Sequence, residues 1–179
     1  MRVKGLRLPL ILLAAILTFG ILLGGQWIVQ EYSVRRPLVE GVTQVPGVQD
    51  VKAIKGKQGL ILEIKLGAVH DLAKTYRLLK DSTNVQDSSR LQLRLVDKRN
   101  DTLTQLWNKS QFAIYEALAN GNFTAMSRNI ENIMKNSGAD SWRISIDAEN
   151  IYLEMHQGSN YLYEIVPREQ APPAGGGDR

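Results

Sequence analysis

The chain has 179 residues, no Cys and two His, His70 and His156, which excludes disulfides, thiolate metal sites, Cys nucleophiles and a multi-His metal centre within one copy. Its formal charge of +4 suggests a nucleic-acid binder at first sight. Three of the 22 Lys and Arg (Arg2, Lys4, Arg7) precede residue 8, however, and the other 19 stand against 18 Asp and Glu, so the body is nearly neutral and no nucleic-acid partner is expected.

Residues 1–7 form a basic tail, and residues 8–29 carry only Thr18 and Gln26 as clearly polar side chains. At ~1.5 Å rise per residue that stretch matches the ~30 Å core of a bilayer. A cleaved leader would need a shorter apolar stretch and a small residue where Leu23 stands, so the pattern predicts an uncleaved transmembrane helix. The basic bias ahead of the span places the N-terminus in the cytoplasm and the domain outside. Within the span, Gly20 and Gly24 form a G-x-x-x-G that permits close helix approach, making them candidates for transmembrane self-association.

After a juxtamembrane linker, residues 30–37, the apolar phase predicts an α+β protein of two small units with antiparallel sheets, residues 38–97 and 101–168, which could form one composite domain. In the first, Leu38, Val39, Val42 and Val45 sit at helical spacing up to Pro46-Gly47. Two strands follow, Val48–Ile54 and Leu60–Leu66, then a helix capped by Asp71 and a strand through Leu91, Leu93 and Leu95. The order is αββαβ. In the second, ααβββ, a helix capped by Asn100 or Asp101 ends near Asn120-Gly121, and another runs from Phe123 to a stop at Gly138. Strands then carry Trp142–Ile146, Ile151–His156 and, after Gly158-Ser159-Asn160, Tyr161–Val166. Residues 169–179 are a Pro- and Gly-rich tail with nothing to bury.

Displaced by 91 positions, residues 39–67 align with 130–158 without a gap. Glu40 meets Glu131, Gly47 meets Gly138, Leu62 meets Leu153, and Glu63 meets Glu154. Duplication and shared helix and strand periods both account for the match. The helix, Val45-Pro-Gly-Val48 and strand opening resembles a turn of ferredoxin-like small domains. Metal-carrying members of that group use a Cys-x-x-Cys pair that this chain lacks, so metal transport does not follow. The αββαβ order is similar to that of ring-building modules in bacterial secretion and sporulation assemblies, a likeness of fold alone.

Catalytic constellations are thin. His70-Asp71 could be a base and its orienter, and Glu154 with His156 half a metal site. Their places at a strand–helix junction and on a polar strand face predict solvated residues instead. No nucleotide-binding, hydrolase or metalloprotease motif occurs, so no catalytic residue, metal or cofactor is expected. The expected function is a single-pass, membrane-anchored, non-enzymatic interaction domain with an assembly role in a bacterial envelope complex, its partners the bilayer and either another protein or a second copy. A tethered sensory or ligand-binding domain is the runner-up, and an enzyme the third reading. Protease added to intact spheroplasts should digest residues 31–179; digestion only in inverted vesicles would reverse the orientation.

Overall fold

The structure, a computed structural model, describes residues 16–19, 36–56, 59–83, 91–135 and 137–168. Residues 16–19 are helical, with Ile16, Leu17 and Phe19 exposed. The rest of the expected span, Gly20 and Gly24 included, lies outside the described residues, among which no helix is long and apolar enough to cross a membrane.

The described chain is α+β, with helices α1 (Arg36–Thr43), α2 (Leu72–Thr83), α3 (Asp101–Asn120) and α4 (Phe123–Met134). The strands are β1 (Val48–Lys55), β2 (Leu60–Leu66), β3 (Leu91–Val96), β4 (Ser141–Ile146), β5 (Asn150–Gln157) and β6 (Asn160–Pro167), forming two three-stranded sheets, β1-β2-β3 and β4-β5-β6.

Local chemistry accounts for most boundaries. Gly47 turns α1 into β1 at φ 93°, and a Cβ there would stand 2.6 Å from Val69 Cγ1, so only Gly fits. Asp71 Oδ1 accepts the Lys74 N–H at 2.9 Å and caps α2. Asn100 rather than Asp101 caps α3, accepting the Leu103 N–H at 2.9 Å, and Gly121 closes that helix in the left-handed region at φ 70°. α4 stops at Met134, a turn before Gly138, where Ser137 Oγ takes over by donating to the Met134 carbonyl. α1 begins at Arg36, inside the stretch read as linker.

The two hairpins share one register. Val51 pairs with Ile64 and Trp142 with Met155; Lys52 pairs with Glu63 and Arg143 with Glu154, each set related by 91 positions. The third strands break the likeness. β6 returns antiparallel through a tight turn, whereas β3 lies parallel to β2. The expectation of antiparallel sheets throughout is therefore corrected: α2 carries the chain back across the sheet, so β3 re-enters in the direction of β2.

Two cores result. α3 and α4 cover one face of β4-β5-β6 through Leu103, Ile114, Ile130, Leu153, Met155 and Leu162. Leu62, Ile64, Leu66, Val42, Leu72 and Leu79 form the other core, which also takes in Tyr152, Tyr161 and Tyr163 from the opposite face of the second sheet. The second sheet is thus buried on both sides, and the halves share side chains. Leu62→Ala and Leu153→Ala, each fully buried, should each cost about 2–5 kcal/mol. Because the cores interlock, urea unfolding of either variant should remain one transition, and two resolved transitions for Leu62→Ala would show independent halves.

Candidate functional site

The structure brings His70, Asp71, Glu154 and His156 together at the junction of the halves. Glu154 and His156 are 4% and 9% exposed, which corrects their assignment to a solvated face. The alternation was right, but the face carrying Tyr152, Glu154 and His156 is covered by residues 66–72 and α2. His70 stays exposed at the edge.

Glu154 Oε2 accepts the Leu72 N–H at 2.6 Å, satisfying a main-chain donor at the start of α2, and Oε1 lies 3.5 Å from Arg143 Nε. Arg143 Nη1 stands 3.9 Å from Asp71 Oδ2, so two carboxylates and one guanidinium tie β4, β5 and the helix start together. Burial pushes the Glu154 carboxyl above its ordinary value, against the pull of the Leu72 N–H and Arg143. Tyr163 Oη accepts the Val69 N–H at 2.7 Å and donates to the Gly67 carbonyl at 2.9 Å; Tyr161 Oη donates to the Leu66 carbonyl at 2.9 Å. Burial raises both phenols.

His156 is wedged between these groups, its ring 5.3 Å from that of His70, 6.0 Å from Tyr163 and 6.3 Å from Tyr161. Its Nε2 is buried with no hydrogen-bond partner among the described residues. Burial and the nearby His70 push its pKa down, against a main-chain bond to Val69. No group of three or more metal-ligating side chains occurs among the described residues. The Glu154 oxygens are occupied by a main-chain donor and an arginine, so this cluster works as a clamp, holding the irregular segment 66–72 by its polar groups.

A second knot closes the other end of the junction. Asp147 accepts the Tyr152 phenol at 2.8 Å and the Glu149 and Asn150 N–H groups at 2.9 Å, and lies 3.6 Å from Arg77 of α2. Burial raises its pKa, but the three bonds outweigh that and the net direction is down. Burial and the bond to Asp147 push Tyr152 up to about 12.

Between the halves lies a cleft of about 950 Å³, missed by the sequence reading because no motif marks it. Its lining takes in Leu91–Leu95 of β3 and Tyr163, Glu164, Ile165 and Pro167 of β6, both edge strands, with Arg99, and also Leu60 and Ile61 of β2, Tyr76 of α2 and Asn150 of β5. Beyond β3, Lys98 and Tyr161 exchange both main-chain hydrogen bonds, N to O, at 3.2 and 3.0 Å. One step further, Asp97 Oδ2 takes the Tyr163 N–H at 2.9 Å. Arg99 holds Asp97 through two bonds of 2.9 and 2.7 Å and reaches Glu164 at 2.9 Å. The pairing that Lys98 begins is ended by a side chain. Comparison with protein families, curated proteins and solved structures finds no match to this chain.

The pKa directions set the acid response. A folded-state value for His156 below the ordinary 6.5 means that, as pH falls past about 6.5, the unfolded chain takes up the proton first and stability drops. Glu154, raised above 4.5, acts oppositely, since the folded chain binds its proton first and gains stability as pH falls toward 4.5. Urea midpoints of His156→Asn should therefore decline less than wild type between pH 7 and pH 5. Equal slopes would show that His156 keeps its ordinary value.

Proposed function

We propose that the chain is a single-pass, membrane-anchored, non-enzymatic protein whose α+β domain works outside the cytoplasm in assembly of a bacterial envelope complex. The observation that carries the reading is the cleft, which residues of two edge strands from different halves, β3 and β6, line together and which no other described residue fills. Open edges recruit polypeptide, and proteins otherwise blunt or cover them. Three of the clustered residues with acid–base or ligating chemistry, Glu154, Asp71 and Arg143, support the same reading, because they are engaged with each other and with main chain at the clamp. Gly20 and Gly24 would add pairing within the bilayer.

A tethered ligand-binding domain is the second reading, favoured by the cleft volume of about 950 Å³ and by its position between two halves. A photo-crosslinking residue at Gln92, exposed on the cleft wall, separates the two in native membranes. Assembly predicts a discrete protein adduct from Gln92 and none from Lys109, exposed on α3. Absence of any adduct, together with a small molecule retained by the purified protein in native mass spectrometry, would give the site to the second reading.

A further inference from the structure

We infer that the cleft accepts an extended segment of a separate partner protein as an added strand between β3 and β6; the inference rests on the assembly reading. The main chain of β6 shows which groups await a partner. Tyr161 turns both its N–H and C=O to the Lys98 side, and Tyr163 turns its N–H to Asp97. Strand alternation then aims the Ile165 N–H and C=O, and the carbonyls of Tyr163 and Pro167, into the cleft. Pro167 stands at the one outward position where β6 has no N–H to offer. On the facing wall the same alternation from Lys98 aims the main chain of Gln92, Arg94 and Val96 inward. Outside the ladders of their own sheets, no described residue bonds the main chain of Ile165 or Gln92.

The β1 edge is treated differently. β1 carries Asp50, Lys52 and Lys55 and a pairing irregularity between Val48 and Asp50, devices that discourage strand addition. Along the cleft the charges of β3 and β6, Arg94 and Glu164, are paired with Glu63 and Arg99, and Pro167 lies at the end of β6. Leu91–Leu95 of β3 line the cleft over roughly 17 Å, and a segment of that length would link the two sheets into one of seven strands.

The wall chemistry selects the occupant. Arg99 is neutralised by Asp97 and Glu164, and Arg94 lies 3.7 Å from Glu63, so the walls favour an uncharged segment with alternate apolar residues against Leu93, Leu95 and Ile165. The chain's own residues 169–179 do not suit, because Pro172 and Pro173 lack N–H groups and Gly175, Gly176 and Gly177 lack side chains. A second copy has its described strand-forming segments committed to its own sheets. A separate polypeptide with alternating apolar residues meets these requirements.

The test pans a random 12-residue phage-displayed peptide library on the full chain in detergent and measures the enriched peptides by fluorescence anisotropy. Strand addition predicts alternating apolar sequences whose affinity falls roughly five- to tenfold in Ile165→Pro and in Gln92→Pro, each of which removes one inward N–H, and persists in Ile165→Val. N-methylation of alternate peptide amides in one phase should abolish binding to the wild-type protein, an arm that holds even if a proline variant fails to fold. No enrichment, equal affinity for folded proline variants, or indifference to N-methylation overturns the inference. So does binding that appears only after deletion of residues 169–179, or a wild-type dimer lost in Ile165→Pro, which would name the tail or a second copy as occupant. A Gln92 crosslink without peptide binding would remove the strand mode and leave the assembly reading standing.

Discussion

Residues 66–72 leave β2 and enter α2 as irregular backbone, and the face of the second sheet lies over them. Irregular chain in that position must find partners for its carbonyls and N–H groups other than a ladder. Tyr161, Tyr163 and Glu154 supply them, at Leu66, Gly67, Val69 and Leu72. The rest of the structure depends on this exchange. It buries the second face of a sheet whose first face is already covered by α3 and α4, and it fixes where α2 starts and hence where β3 returns. Tyrosine suits the task because its ring adds to the apolar core while its hydroxyl serves the neighbouring main chain.

The clamp is polar as well as apolar, which makes it selective. A buried carboxylate without the Leu72 N–H and Arg143 would be costly, and so would a buried N–H without its acceptor. Each half therefore satisfies the other only in this docking. His156 is the exception within the clamp, a buried imidazole whose Nε2 has no partner among the described residues and whose pKa burial and His70 push down.

The cleft follows from the same docking. The Lys98–Tyr161 bridge starts to join β3 to β6, and Asp97, held by Arg99, ends the joining after one step by taking the N–H that continued pairing would use. Beyond the Lys98–Tyr161 bridge no main-chain bond joins β3 to β6 among the described residues. Asp97 thus stands where the next rung of a continuous sheet would be, and beyond it residues of both strands line the cleft.

Much of this was legible in the residues. Period-2 alternation located β2 at Leu60–Leu66 and found the other strands within a residue or two, and Asn100, Gly121 and Asp71 marked helix ends because cap chemistry is local. The shared register of the two hairpins was foreshadowed by the 91-position match, since a one-residue slip would have inverted every apolar face. Three things were not legible. The parallel return of β3 depends on how α2 packs, which strand propensity does not encode. The burial of Glu154 and His156 depends on what covers a face that alternation alone marks as polar; three tyrosines on that face were the available signal. The cleft depends on the angle between two sheets, set by contacts as far apart in sequence as Tyr163 and Gly67. The sequence by itself determined the elements and their apolar phases, because these arise from neighbours along the chain. Only the tertiary structure decided which polar groups were buried and which strand edges stayed open, because both depend on surfaces brought together from distant segments.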